Sequence, residues 1–393
     1  MEQPKLWSRS LIVLMVLNFC SAMSFWLLNV KITQYSIDTY GVAESAAGLG
    51  ITVYVISALL TRMFFGRRID VWGVKRSVVI GSAINACGML LYLVPMGFVP
   101  LLCVRFFHGL GFAIMSGTAA AGAALVLPPE RYGEGIGYYS MMQALATGIG
   151  PFVAIMLTNT FGTYRSMFIC AAIVSMLALL ATPLLSIPNQ NRAARHVDFL
   201  AEIREKGIGA FIQISVVPIA SVLFLVYLGY AGIISFVTTY AHVRGLDEVV
   251  SFFFVVYAIV ILISRPPIGR RVDRRGENST IYYCLILFVF GFVLLAFASN
   301  GVILLLSAAL LGVGIGATQS IVQAVIARDT PSSEQGKANS TFFMSMDLGS
   351  GLGPVAIGAI IPLIDYSGSY LLLAAVGLVA IADYHFSHGR HHR

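Results

Sequence analysis

The chain has 393 residues, of which 58% are hydrophobic and only 11% are charged, and its formal net charge is +7. Soluble domains carry roughly 25% charged residues, so this chain has too little polar surface for a compact soluble particle of its size. The composition therefore excludes a cytosolic enzyme, a nucleic-acid-binding domain and a disordered regulator. It indicates an integral membrane protein.

Continuous apolar runs predict an all-α membrane protein with twelve transmembrane helices. A helix needs about 20 apolar residues to cross about 30 Å of hydrocarbon. The strands of a membrane β-barrel would instead alternate every second residue. In chain order, the predicted spans are 11–32, 46–65, 77–94, 101–125, 135–158, 164–187, 211–240, 249–264, 280–298, 302–327, 338–363 and 370–386.

The spans divide into two six-helix halves, 1–187 and 210–393, joined by a polar linker at 188–209. With the N-terminus inside, nearly all lysines and arginines fall in cytoplasmic segments, and the outer loops keep Lys31, Arg165 and Arg244. This positive-inside pattern predicts cytoplasmic termini and explains the net charge without nucleic acid. We expect a multi-pass protein of a bacterial plasma (inner) membrane.

An internal repeat with an offset of 203 residues relates the halves. The stretch from Arg62 to Gly73 recurs from Arg265 to Gly276. The same offset relates the following pairs: Gly109 and Gly312, Gly111 and Gly314, Gly148 and Gly351, Gly150 and Gly353, and Pro151 and Pro354. Two parallel six-helix repeats are a transporter architecture, with the binding site near mid-membrane between them.

Three of these motifs resemble signatures of the major facilitator superfamily. The loop after span two resembles the family's loop signature, and a weaker copy follows span eight. Arg105-x-x-x-Gly109-x-Gly111 resembles the span-four signature, and Gly148-x-Gly150-Pro151 resembles the core of the antiporter signature, with Ala146 and Ala154 where glycines are usual. The loop motif residues are Gly66, Arg67, Arg68, Asp70, Gly73, Lys75 and Arg76, and their copies are Gly269, Arg270, Asp273 and Gly276.

The resemblance implies a cytoplasmic gating latch. Gly66 and Gly73 permit a tight turn, and Asp70 would face the positive N-terminal end of span eleven. The basic residues of the motif would pair with acids at the inner face or with lipid phosphates. The alternative is that these charges only set the topology.

Arg105 and Asp347 lie inside predicted spans and break the repeat, since they correspond to Ala308 and Ala144. Asp347 lies near mid-depth, where a charge costs several kcal/mol unless it is paired or neutralised, so it is a candidate proton carrier. The resemblance implies proton coupling or a cavity role for Arg105. The alternatives are a structural hydrogen-bond network for Asp347 and snorkelling to the outer surface for Arg105.

In the family, spans one, four, seven and ten line the substrate cavity. The resemblance therefore makes eight polar or aromatic residues candidates for substrate contact, although each could serve helix packing instead. They are Asn18, Phe25, Arg105, His108, Tyr227, Tyr230, Gln319 and Gln323. We expect no metal site at the C-terminal histidines, which have no carboxylate or cysteine partner at ligand spacing apart from Asp383. The chain has no nucleotide-binding loop or H-E-x-x-H motif. We therefore expect no cofactor and no enzymatic activity.

The leading hypothesis is a proton-coupled exporter (antiporter) of an amphiphilic drug or metabolite that works by alternating access of its halves. One alternative is a sugar or nutrient symporter or uniporter, although the chain at Ile187-Pro188-Asn189 does not match the sugar-carrier signature. Another alternative is a flippase or transporter-like sensor without proton coupling. The expected partners are a small-molecule substrate, protons and membrane lipids, with no nucleic acid, and the expected state is a monomer.

Overall fold

A computed structural model describes residues 6–65, 72–128, 132–187, 212–330 and 335–390, and every regular element in these ranges is helical. This confirms the all-α class. Short 3-10 turns at Thr182–Leu184 and Ile214–Val216 and a π-helical turn at His385–Gly389 flank the longer helices. The α-helices are α1 (Arg9–Asn29), α2 (Ile32–Tyr40), α3 (Glu44–Phe65), α4 (Val74–Leu91), α5 (Phe98–Val126), α6 (Tyr132–Phe161), α7 (Tyr164–Ala181), α8 (Val217–Val243), α9 (Asp247–Arg275), α10 (Glu277–Ala296), α11 (Gly301–Asp329) and α12 (Gln335–Tyr384).

Eleven helical stretches in the described ranges are long and apolar enough to cross a membrane, where twelve were predicted. The difference lies at the C-terminal end, where the stretch Thr341–Gly389 is 49 residues long and covers the last two predicted spans. The loop predicted at 364–369 is replaced by a single non-helical residue, Asp365, with φ 62° and ψ 174°. This combination of φ and ψ is nearly confined to glycine, so Asp365 marks a strained break between two helical segments.

The other predicted spans each coincide with a helix, with two notable differences in extent. The first stretch continues through α2 to Tyr40. The helix α9 runs to Arg275, well past the predicted end at residue 264. It ends at Gly276, where φ is 74°. The arginine-rich repeat copy therefore forms the last turns of a helix, and the turn comes at its final glycine.

The described residues form two compact units, one of 1–41 and 53–195 and the other of 42–52 and 196–393. In the first unit, α1 packs on α5, α6 and α7, and α4 packs on α5 and α7. In the second unit, α8 packs on α12, α10 packs on α11 and α12, and α9 packs on α11. Residues 42–52 belong to the second unit because they lie against α12, where the Thr52 hydroxyl donates a hydrogen bond to the Gly351 carbonyl.

Within each unit the packing repeats at the offset of 203. A Cβ atom added to Gly109 would lie 2.4 Å from the Tyr54 carbonyl oxygen, and one added to Gly312 would lie 2.9 Å from the Tyr257 carbonyl oxygen. Such close backbone approach is how helices associate in lipid, where burial from water no longer drives packing. Two further pairs of close contacts correspond in the same way. Gly111 packs against Asn85 as Gly314 packs against Phe288, and Gly88 packs against His108 as Gly291 packs against Leu311.

Candidate functional site

Arg105 lies in α5 and its side chain is fully buried. Its guanidinium donates a hydrogen bond to the Asn29 side-chain oxygen and lies 4.6 Å from the ring centroid of Tyr54. Both contacts favour a cation, the first as a charge-assisted hydrogen bond and the second as a cation–π interaction. Arg105 therefore turns into the helix bundle of the first unit rather than snorkelling to the surface.

His108, one helical turn after Arg105, belongs to the same group of side chains. Its ring centroid lies 4.8 Å from that of Tyr54, and its Nδ1 atom lies 3.4 Å from the Tyr92 hydroxyl. His108 is also fully buried, and its Nε2 atom has no hydrogen-bond partner among the described residues. Arg105 and His108 thus share one polar cluster built around Tyr54.

Sequence reasoning missed Asn29, Tyr54 and Tyr92 as members of this cluster. A signal for Tyr54 was present, because a tyrosine recurs at the repeat-equivalent position, Tyr257. Asn29 lies at the end of α1 and Tyr92 just after α4, where polar side chains are common at helix ends. Their convergence on Arg105 depends on helix packing, which the local sequence does not contain.

Arg105→Ala is expected to lower the thermal unfolding midpoint of the detergent-purified protein by several degrees. The substitution leaves a cavity and removes the donor to Asn29, and large-to-small changes in a packed interior cost about 2–5 kcal/mol. Arg244→Ala is the matched control, since the Arg244 guanidinium also lies over a tyrosine, 5.4 Å from the Tyr240 centroid, but is exposed. Circular dichroism at rising temperature measures both variants. Equal losses would contradict the buried role of Arg105.

Asp347 lies in α12 of the second unit and is half-buried. Two residues later, a Cβ atom added to Gly349 would lie 2.9 Å from the Tyr227 Cβ atom, so this part of α12 passes closely against α8. Arg265, which was predicted as one more cytoplasmic positive charge, lies within α9 and is half-buried.

The remaining cavity candidates lie in different surroundings. Asn18 is buried and donates its side-chain amide to the Tyr139 carbonyl oxygen at 2.9 Å, which is a contact between α1 and α6. Phe25 stacks on Phe112, with centroids 5.4 Å apart, and lies 5.5 Å from Tyr54. Gln319 is half-buried with its amide nitrogen 4.0 Å from the Met346 sulfur, and Gln323 is exposed.

The antiporter-like motif supplies close helix contacts. A Cβ atom added to Gly150 would lie 2.5 Å from the Trp26 Cβ atom, and one added to Gly353 would lie 2.4 Å from the Ala231 Cβ atom. Gly148 and Pro151 lie within α6, and Pro354 lies within α12. In each unit the motif therefore lets one helix approach another, α6 on α1 and α12 on α8.

The loop motif is described in part. Gly66, Arg67, Arg68 and Asp70 lie outside the described residues. Gly73 has φ 79°, matching the φ of 74° at Gly276, and Lys75 and Arg76 are exposed in the first turn of α4. Gly269, Arg270 and Asp273 lie in the last turns of α9, and their side chains are likewise outside the described part.

A cluster that the sequence did not predict joins α10, α11 and the C-terminal turn of the second unit. Arg328 binds the buried Glu277 carboxylate through two nitrogens, at 2.9 and 3.0 Å, and His388 lies 3.7 Å from the same carboxylate. The neighbouring carboxylates of Glu277 and Asp329 raise the pKa of Arg328 still further above its usual range. Among the described residues, no group of three or more histidine, cysteine, aspartate or glutamate side chains has the geometry for a metal ion.

The comparisons with known proteins agree with this architecture. The family model "Major Facilitator Superfamily" matches residues 14–299 and, in a second match, 248–387. The MFS-type transporter MJ1560 of Methanocaldococcus jannaschii is 22% identical over 87% of this chain and 89% of its own length. The staphylopine export protein of Staphylococcus aureus is 23% identical over 95% of this chain and 94% of its own length. A crystal structure of the nucleoside transporter NupG superposes with a TM-score of 0.75 at 15% identity and covers 96% of this chain and 98% of that one.

The helices, the repeated units and these matches define a multi-pass membrane transporter, not an enzyme. The chain belongs to the major facilitator superfamily.

Proposed function

We propose that the chain is a proton-coupled secondary transporter that exports an amphiphilic small molecule across a bacterial inner membrane. The observation that carries this proposal is the pair of charged residues within apolar helices, Arg105 and Asp347, whose repeat equivalents are Ala308 and Ala144. A charge inside a membrane helix is costly and is retained mainly where ions, protons or substrates pass. Packing residues recur in both halves, whereas these two charges do not.

In this proposal Asp347 carries the proton. Its half-buried position on α12, close to where this helix passes against Tyr227 of α8, lets a carboxyl group exchange protons with water while other helices surround it. Arg105 responds to the substrate or to the coupled charge, and its contacts with Asn29 and Tyr54 fix its position. Substrate contacts are assigned to Phe25, Tyr227, Tyr230, Gln319 and Gln323, and Asn18 contributes to helix packing.

We infer twelve membrane crossings with cytoplasmic termini. The stretch Thr341–Gly389 supports the twelfth crossing, because its 49 residues would extend about 70 Å as one straight helix, roughly twice the hydrocarbon thickness. The positive-inside distribution of lysine and arginine supports the orientation. The halves 1–187 and 210–393 would rock in alternating access as a monomer surrounded by lipid, with the motif from Gly66 to Arg76 as the inner latch.

Export is favoured over import by the likeness to the staphylopine export protein, although the two chains are only 23% identical. The second candidate is a nutrient symporter or uniporter, which the fold likeness to a nucleoside transporter favours. A flippase or sensor without proton coupling is the third candidate.

A two-step experiment separates these candidates. The purified protein is first screened by thermal shift against ethidium, tetraphenylphosphonium, uridine, dialanine and glucose. The compound that raises the midpoint most then becomes the transport probe in everted membrane vesicles. A proton-coupled exporter accumulates the probe in the acidified lumen and loses it when a protonophore is added. Accumulation only in right-side-out vesicles would favour the symporter, and movement that is insensitive to the protonophore would favour the third candidate.

A further inference from the structure

The cluster that joins α10, α11 and the C-terminal turn has no charged counterpart in the first unit. At the repeat offset of 203, Glu277, Arg328 and His388 correspond to Val74, Leu125 and Leu185. Val74 and Leu185 take part in a buried apolar cluster of the first unit. The same place in the fold is therefore packed with hydrocarbon in one unit and with acid and base groups in the other.

The C-terminal turn, His385–Gly389, is seated on the first turns of α10. The Asn278 side-chain amide donates a hydrogen bond to the Gly389 carbonyl oxygen at 3.2 Å, and the Tyr282 hydroxyl lies 2.9 Å from the His385 Nδ1 atom. A Cβ atom added to Gly389 would lie 2.8 Å from the Tyr282 hydroxyl oxygen. The turn and α10 thus form a fitted contact, with no room for a side chain at the glycine.

The Glu277 carboxylate is the point where this contact meets α11. Glu277 and His388 are only 6% and 8% exposed, and the His388 Nε2 atom lies 3.7 Å from the same carboxylate oxygen that accepts from Arg328 at 2.9 Å. A separation of 3.7 Å is too long for a good hydrogen bond from a neutral imidazole, whereas an imidazolium is attracted to the carboxylate by its charge. Protonation of His388 therefore strengthens the contact.

The described charges around His388 leave room for one more cation. The carboxylates of Glu277 and Asp329 both bind the single guanidinium of Arg328, at 2.9 and 2.7 Å. His388 also lies in the last turn of a long helical stretch, where the helix dipole favours a positive charge. Both features favour the imidazolium form while the turn is docked.

The other titratable groups near the turn are placed as follows. On the turn's own stretch, Tyr384 donates to the Asn278 side-chain oxygen, Asp383 accepts from Ser221 of α8, and Arg390 is exposed. From α8 itself the turn meets a backbone carbonyl, that of Pro218, which accepts from the Ser387 hydroxyl at 3.2 Å. Five more titratable residues are close in the chain, with side chains outside the described part: Asp273, Arg274, Arg275, His391 and His392.

We propose that His388 makes the C-terminal turn a pH-responsive clasp, which binds α10 and α11 through the Glu277 carboxylate when the imidazole is protonated and is released when the imidazole loses its proton. With the cytoplasmic termini inferred above, the clasp responds to cytoplasmic pH. The inference goes beyond the proposed transport function and does not depend on Asp347.

The direction of the response follows from linkage. A free histidine titrates near pH 6.5, and a docked one beside net negative charge keeps its proton to higher pH. The added stability of the docked turn is therefore fully present below about pH 6.5 and is lost as the pH rises through the midpoint of the docked histidine. The clasp holds the second unit together in an acidified cytoplasm and loosens in an alkaline one.

The test measures docking directly, by electron paramagnetic resonance of a nitroxide label on the full-length protein in lipid nanodiscs. The label is attached through Arg390→Cys, next to the turn, after replacement of the five native cysteines by alanine. Between about pH 5.5 and about pH 9, which bracket the histidine titration, we expect the ratio of immobilised to mobile label to fall about tenfold, the change that corresponds to 1 pH unit of linkage. His388→Gln should give a low ratio that does not vary with pH.

Two further variants serve as controls. His242→Gln removes a histidine that also pairs with a carboxylate, at 3.0 Å from Asp247, but at an exposed place away from the turn, so its titration curve should match that of the labelled parent. Gly389→Val leaves the titratable groups of the cluster intact and blocks the seat, so the label should be mobile at every pH.

A ratio that does not vary with pH in the labelled parent, or that rises with pH, would overturn the proposal. A pH response that persists in His388→Gln would also overturn it. If that variant does not fold, a response that persists in Glu277→Gln would do so instead. Because no substrate or proton gradient is present, none of these outcomes bears on proton-coupled export.

Discussion

Asp347→Asn is expected to abolish proton-driven transport while leaving the protein folded and able to exchange substrate passively. The amide has nearly the shape of the carboxyl group but cannot take up or release a proton, so the coupled step is lost. Proton transfer by a positioned side chain contributes about 100-fold or more to such steps, and we expect proton-driven flux to fall at least tenfold. The measurement compares proton-driven uptake with probe–probe exchange at equal pH in proteoliposomes.

Asp383→Asn is the matched control for this prediction. Asp383 is a second half-buried acid on α12, and it accepts a hydrogen bond from the Ser221 hydroxyl at 2.8 Å. Its variant should keep proton-driven flux near that of the unaltered protein. Full proton-driven flux in Asp347→Asn would refute the coupling role of Asp347, and equal loss of exchange and driven flux would mean that the residue is structural.

Gly109→Val is expected to cause a large loss of folded protein. The Cβ atom would lie 2.4 Å from the Tyr54 carbonyl oxygen and 3.0 Å from the Ser57 Cβ atom, so α3 and α5 would have to separate. Overpacking of this kind costs about 1–3 kcal/mol or more, and here the clash is with backbone that cannot rotate away. We expect a thermal midpoint lower by several degrees and a reduced monodisperse peak in size-exclusion chromatography.

Gly117→Val, two turns further along α5, provides the comparison. A Cβ atom at Gly117 would meet nothing within 4 Å, so the same chemical change at a second helical glycine should leave the midpoint nearly unchanged. If both variants lose stability equally, the cost comes from valine within the helix and the close approach at Gly109 is unimportant.

The helices and the repeat could be predicted from the sequence because both are local or periodic. Continuous apolar runs located nearly every helix, and matched glycines gave an offset that the packing of Gly109 on Tyr54 and Gly312 on Tyr257 reproduces. A loop at 364–369 was predicted to separate the last two spans. In the structure the helical stretch is interrupted there only at Asp365. A single residue with positive φ leaves too weak a signal in composition to be located.

The partners of the in-span charges could not be predicted in the same way. Arg105 meets Asn29 and Tyr54 through the packing of three helices. Arg265 was grouped with the cytoplasmic arginines because it begins an arginine-rich motif, and the structure shows that α9 continues past it and leaves it half-buried. Both cases depend on contacts between residues far apart in the chain. Such contacts decide which charges have a function within the helix bundle and which only set the orientation.

The most direct test of proton-coupled export is the movement of protons against the probe in a purified system. Proteoliposomes containing the unaltered protein and trapped pyranine are given the probe identified by thermal shift on the outside, with no initial pH difference. An antiporter carries the probe in and protons out, so the lumen should become alkaline at a rate that rises with probe concentration and is absent in empty liposomes. Entry of the probe without a change in lumen pH, or with acidification, would contradict proton-coupled antiport.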